Sequence, residues 1–166
     1  RQMCIRDSDE ELIKLSKPIY DVRKLFIEEF EPYFIEKYNQ ISSGIESVSL
    51  SYKSDLSEKT MNEVLKESLK KDFILQYTSS GIHKDDLLFN IDDYSVKKFG
   101  SQGQQKSFII ALKLAQFEYL KEKTGSSPIL LMDDIFDKLD FDRVKNIVKI
   151  VNVTSFGQLF LSLIHI

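Results

Sequence analysis

The chain has 166 residues, enough for a domain with a sizeable core, and its 42% hydrophobic and 30% charged residues place it with soluble globular domains rather than low-complexity chains. A net charge of −3 gives no global basic field to advertise nucleic acid, so any such binding must use a local basic face. A single cysteine, Cys4, excludes a disulfide framework or a cysteine zinc site within one chain and fits a reducing, cytoplasmic location, and no apolar run approaches the ~20 residues of a membrane helix.

Residues 1–8 lack the apolar core of a secretory signal. Residues 9–40 are predicted helix: Leu12, Leu15, Ile19, Val22, Phe26, Phe30, Tyr33 and Phe34 recur near a helical stripe, and Pro18 and Pro32 are expected to kink or divide it. The basic residues Lys14, Lys17, Arg23 and Lys24 fall mostly between the apolar ones, as on a solvated helix face. Ser42-Ser43-Gly44 is a break, and alternation over 45–52 predicts a strand with Val48, Leu50 and Tyr52 on one face. Residues 53–57 read as a polar loop. Thr60 and Glu63 form a capping box for a helix to about residue 76, with Met61, Leu65, Leu69 and Phe73 on its buried face.

Residues 77–86 are turn-like, 87–91 a short strand, Asp92-Asp93 a hairpin turn and 94–98 its return. The turn Gly100-Ser101-Gln102-Gly103-Gln104-Gln105-Lys106 precedes a helix over 107–123, with Phe108, Ala111, Leu112, Ala115 and Tyr119 on one face and Gly125 at its end. Ile129 to Met132 is an unbroken apolar run, as in a parallel strand covered on both faces. A helix over 142–152, with Val144, Ile147, Val148 and Val151 inward, and a strand over 158–161 follow, so this half alternates as α/β layers do.

Two patterns carry chemistry. Asp133 and Asp134 end an apolar strand, which puts carboxylates at the sheet edge where α/β proteins bind ligands. Asp133 suits Mg²⁺, and Asp134 suits orienting an attacking water. Strand-end acids also occur simply as turn residues. Ser101-Gln102-Gly103-Gln104 precedes a helix, where free backbone amides attract anions and glycine allows close approach to a phosphate. Serine and glycine cap many helices without such a role.

Taken together the motifs are recognisable. Ser101-Gln102-Gly103-Gln104-Gln105-Lys106 resembles the signature motif of the ABC-type ATPase superfamily, Leu130-Leu131-Met132-Asp133-Asp134 its Walker B strand, and Asp137-Lys138-Leu139-Asp140 its D-loop. Gln within the signature and the paired Asp resemble the RecF family, a DNA-repair branch related to the SMC proteins. Gly81-Ile82-His83-Lys84-Asp85-Asp86-Leu87 is similar to that family's Gly-Pro-His-Arg-Asp-Asp-Leu, departing at Ile82 and Lys84. The resemblance implies an α/β fold, the C-terminal half of an ABC-type ATPase head with a parallel sheet flanked by helices. It would comprise a helical arm segment at 9–44, a strand-helix-hairpin region at 45–98 and an ATPase lobe at 99–161.

The resemblance also implies roles. Ser101, Gln102, Gly103 and Gln104 would face ATP held mainly by a second copy, and Asp140 would cross the dimer interface. Asp133 would serve Mg²⁺, and Asp134 would activate water. Implied partners are duplex DNA near single-strand gaps, RecR and RecO, and a second copy in an ATP-dependent homodimer, with no membrane and with RecA loading as the outcome. Lys14, Lys17, Arg23 and Lys24 are the candidate phosphate contacts. His83, Asp85 and Asp86 receive no role; His83 reads equally as a loop histidine bonded to a neighbouring carboxylate or as part of a site near the nucleotide or the coupling surface.

No Gly-x-x-x-x-Gly-Lys-[Ser/Thr] occurs in the chain. The family carries that P-loop in its N-terminal part, so the chain is expected to be a C-terminal portion, inactive alone as an ATPase. Residues 1–8 and 162–166 depart from the family and are expected to be non-native ends. The competing readings are another ABC-type ATPase, SMC-like or transporter, and a non-enzymatic α/β interaction module.

Overall fold

The computed structural model describes residues 2–133, 135, 137–153 and 157–162. The elements run α1 (Gln2–Ser42), β1 (Val48–Lys53), α2 (Met61–Leu75), β2 (Asp86–Ile91), β3 (Tyr94–Ser95), α3 (Val96–Phe99), α4 (Gln102–Thr124), β4 (Ile129–Met132), α5 (Phe141–Val153) and β5 (Gln158–Leu161), with 3₁₀ turns at Asp55–Ser57 and Ile82–Lys84. One sheet has the order β1-β2-β3 and the other pairs β4 with β5. That second pair is parallel, in register from Ile129 opposite Gln158 to Met132 opposite Leu161, with α5 between its strands in sequence. The predicted α/β layering is present. Among the described residues no helix is long and apolar enough to cross a membrane.

The chain forms two compact units, Arg1–Glu28 with Ser51–Leu88, and Glu29–Leu50 with Phe89–Ile166. In the first, Tyr20, Ile27, Met61, Val64 and Ile82 are buried, and the Tyr20 and Tyr52 rings lie 5.7 Å apart. Thr60 caps α2 as expected: Glu63 N donates to its hydroxyl, and the Glu63 side chain accepts from Thr60 N. The buried face of α2 differs from expectation. Met61, Val64 and Ser68 point inward while Leu69 and Phe73 are exposed. Four residues advance a helix by about 40° beyond a full turn, so a strict i, i+4 series rotates off the core.

α1 also departs from its prediction. It is one undivided helix through Pro18 and Pro32. A proline removes one ladder bond, and burial of Tyr20, Ile27, Phe30, Phe34, Tyr38 and Ile41 along the helix outweighs that local loss. In its first half the inward positions are Ser16 and Tyr20, whereas Leu15, Ile19 and Val22 are exposed.

The second unit is built on an aromatic cluster. Phe108 of α4 lies 4.9 Å from both Phe34 and Tyr38 of α1, ring centre to ring centre, and 6.0 Å from Phe89 of β2. α4 buries Phe108, Ile110, Ala111, Leu114, Ala115 and Phe117, a wider face than the spacing suggested. It stops at Gly125, whose φ of 69° is the left-handed conformation of a helix C-cap and whose amide donates to Lys121 O.

Four further expectations are corrected by the structure. The first strand begins at Val48, with Ile45 exposed in the preceding turn. The return strand after Asp92-Asp93 lasts only two residues before Val96–Phe99 turns helical and buries Val96. β4 is covered on one face only: Leu130 and Met132 are buried, whereas Ile129 and Leu131 are 60% and 62% exposed. α4 packs against β4, and β5 is its one strand partner among the described residues. Of the predicted inward face of α5, Ile147 is buried and Val148 is exposed.

Candidate functional site

Two of the sequence motifs of the second unit, the Ser101 turn and the turn that leads to Asp140, are neighbours. α4 starts at Gln102, five residues before the predicted start, because Ser101 and Gln104 close a capping box. Gln104 N donates to Ser101 Oγ at 3.2 Å, and Ser101 N donates to Gln104 Oε1 at 2.8 Å. The helical ladder begins with Gln105 N on Ser101 O. The amides of Gln102 and Gly103 precede that ladder and have no acceptor within the helix. Ser101 is exposed, and its hydroxyl keeps a proton to donate. The result is an exposed helix N-terminus with a hydroxyl, an arrangement that suits an anion.

Gly103 has a second reason to be glycine. A Cβ there would lie 3.1 Å from Lys138 O, so the start of α4 packs closely on the turn that leads to Asp140. Lys138 itself has a φ of 62°, which bends that turn sharply. Asp140 caps α5: its Oδ1 accepts from Arg143 N at 2.9 Å, and its Oδ2 pairs with Arg143 Nε at 3.1 Å. Both carboxylate oxygens are thus engaged, although the side chain is 60% exposed.

Asp133 follows β4 directly and is exposed at the carboxyl end of the parallel pair. Its Oδ1 accepts from the Ser162 hydroxyl, just beyond β5, while Ser162 N donates to Met132 O at 3.0 Å. A hollow of about 320 Å³ opens there, lined by Lys113, Leu131, Met132, Asp133, Phe160, Leu161 and Ser162. One exposed carboxylate at a strand end fits Mg²⁺, which keeps several waters and takes few protein ligands. No cluster of three or more acidic, histidine or cysteine ligands exists among the described residues. Asp134 lies outside the described residues.

Two residues that no motif signalled hold these turns. Glu46, in the turn before β1, accepts from Tyr38 Oη at 2.5 Å, Gln104 Nε2 at 2.9 Å and Arg143 Nη2 at 2.9 Å. Arg143 also donates from Nη1 to Ser107 Oγ at 2.8 Å. Glu46 and Arg143 are each 15% exposed. Burial works to raise the Glu46 pKa, but the bonds from Tyr38, Gln104 and Arg143 bring it below the ordinary carboxylate value. Burial and the Glu46 carboxylate push the Tyr38 hydroxyl well up. Nothing in the local sequence links positions 46 and 143.

In the first unit, Asp85 of the Gly81 motif has a side chain only 3% exposed. It accepts from the Tyr52 hydroxyl and pairs with Arg23 Nη1 at 3.5 Å, and that same nitrogen donates to Ile82 O at 2.9 Å. Arg23 is therefore committed to holding this loop. His83 Nε2 bonds the Thr78 backbone carbonyl at 3.0 Å, not the neighbouring carboxylate that one of its two readings named. Lys17 and Lys24 pair along the helix with Asp21 at 2.6 Å and Glu28 at 3.9 Å. Such exposed pairs are weak enough to be exchanged for another anion.

No family model matches the chain. Curated relatives do. It is 57% identical over 157 residues to the DNA replication and repair protein RecF of Flavobacterium johnsoniae, covering 95% of this chain and 44% of that protein. It is 48% identical over 144 residues to the protein of the same name from Parabacteroides distasonis, covering 87% of this chain and 40% of that one. Among solved structures, that of the recombination mediator protein RecF-ATPrS in the RecFOR pathway superposes with a TM-score of 0.78 at 27% identity, covering 99% of this chain and 46% of that one. The RecF-ATP structure gives 0.75 at 28% identity, covering 95% and 44%. The chain spans less than half the length of these relatives. On this likeness in sequence and in fold, the chain belongs to the RecF family, of whose members it represents a C-terminal portion.

Proposed function

We propose that this chain supplies two half-sites of an ATP-driven clamp acting in recombinational and replication-gap repair. Asp133 and Asp134 serve the nucleotide held by the chain's own full-length protein: Asp133 holds Mg²⁺ through water or directly, and Asp134 orients the attacking water. Ser101, Gln102, Gly103 and Gln104 close on the nucleotide held by a second copy, and Asp140 lies at the interface between copies. ATP thereby drives homodimerisation on duplex DNA next to single-strand gaps in the cytoplasm, with RecR and RecO as partners. Lys14, Lys17 and Lys24 are the candidate phosphate contacts, and their contribution would fall with rising salt.

The observation that carries this reading is the exposed, Ser101-capped start of α4 in a chain 57% identical to a RecF protein. The magnesium that comes with the nucleotide would offset phosphate charge, while this chain's own residues orient the phosphate and the water. The test is ATP-dependent dimerisation of the full-length protein, followed by sedimentation, against Ser101→Arg. The variant should bind nucleotide as a monomer and fail to dimerise. An equal dimer yield would remove the role of Ser101 across the interface.

A further inference from the structure

Gln104 and Asp140 belong to separate motifs, yet only two side chains stand between them. Gln104 Nε2 meets Glu46 Oε1, Glu46 Oε1 meets Arg143 Nη2, and Arg143 Nε meets Asp140 Oδ2, each within 3.1 Å. Gln104 spends its other amide atom on Ser101 N, so its orientation is fixed from both ends. Arg143 spends its three nitrogens on three partners, Ser107 in α4, Glu46 before β1 and Asp140 at the start of α5. A planar guanidinium with all three nitrogens engaged tolerates little displacement. Beside this relay the two turns touch directly, Gly103 against Lys138 O.

We propose that Glu46 and Arg143 are positioning residues that join the Ser101 turn and Asp140 into one rigid edge, so that both reach the second copy together. Tyr38 anchors the same edge to α1 through Glu46 Oε2. Neither Glu46 nor Arg143 touches nucleotide; each acts through Gln104, Ser101 and Asp140. This rests on the composite-site reading above and deepens it, because it makes the spacing of the two elements, and not only their presence, a condition for dimerisation.

The test uses the full-length protein with Arg143→Ala, Arg143→Lys, Glu46→Gln and the Glu46→Gln/Arg143→Ala double variant. Monomer affinity for a fluorescent ATP analogue, the ATP-dependent dimer dissociation constant and the thermal midpoint are measured for each. Arg143→Lys keeps the charge but can hold only part of the geometry, so it should weaken dimerisation nearly as much as Arg143→Ala, on the order of tenfold. Monomer affinity for the analogue should stay within about twofold of the parent. The double variant should dimerise no worse than Arg143→Ala, since both changes break one relay.

The inference is overturned if Arg143→Lys dimerises like the parent, if the single effects multiply, or if monomer affinity falls in step with dimerisation and the thermal midpoint. Ser101→Arg, run alongside, separates the two levels. If it dimerises normally, the composite site itself fails. If it blocks dimerisation while both Arg143 variants dimerise normally, only the positioning role fails.

Discussion

Gly81→Ala should be strongly destabilising, and the structure says why in two parts. Gly81 has φ 115° and ψ −174°, a region essentially closed to residues with a Cβ. Forcing alanine there costs about 1–3 kcal/mol. A Cβ at Gly81 would also fall 2.9 Å from Met61 Sδ and closer still to Met61 Cε, and Met61 is only 3% exposed. Overpacking of that kind costs a further ~1–3 kcal/mol. The expected loss is therefore about 2–6 kcal/mol in urea denaturation. A cycle with Met61→Ala separates the parts: the double variant should cost at least about 1 kcal/mol less than the sum, because the clash is gone while the backbone strain stays. A Gly81→Ala loss under about 0.5 kcal/mol, the size of an ordinary surface change, would refute both the backbone conformation and the contact.

Further expectations follow from the same geometry. The Glu46 pKa is lowered in the fold, so its contribution is present above the unfolded value and is lost as pH falls through the lower folded value; the acid limb of a stability-versus-pH curve should flatten in Glu46→Gln. An unchanged acid limb would mean that Glu46 is not held as an ion. Asp85→Asn should cost about 2 kcal/mol in the thermal or urea midpoint, because the buried carboxylate that receives Tyr52 and Arg23 loses its charge. A neutral result would mean Arg23 does not depend on it. The isolated 166 residues should show no ATP hydrolysis in a phosphate-release assay. Turnover abolished by Asp134→Asn would contradict this.

Much of the site's framework was legible because it is local. Thr60 and Glu63, or Gly125 after an apolar helix, are signals written within one turn, and the structure realises them as a capping box and a left-handed stop. The run into Asp133 likewise predicts a strand end, and β4 ends there. What failed depends on distant partners. Pro18 and Pro32 look like helix breaks when only neighbours are considered, but the burial of Tyr20, Phe34 and Tyr38 outweighs the lost bonds. Leu69 and Phe73 are apolar at a helical interval, yet the core selects Val64 and Ser68 on the other side of Met61. Gly103 was legible as a phosphate-approach glycine, whereas its contact with Lys138 O depends on how α4 meets the following turn. Glu46 and Arg143 were invisible for the same reason, since 97 residues separate them and neither stands in a motif.

The most direct test of the central claim is complementation between two inactive full-length variants. On the proposed assignment, Ser101→Arg should disable only the half-site offered to the second copy, and Asp133→Asn only the half-site that serves the protein's own nucleotide. A mixed dimer of the two then contains one wholly intact composite site. Mixing them should restore ATP turnover that neither shows alone. A mixture as inactive as its components would contradict the assignment of Ser101 and Asp133 to opposite halves of a shared site.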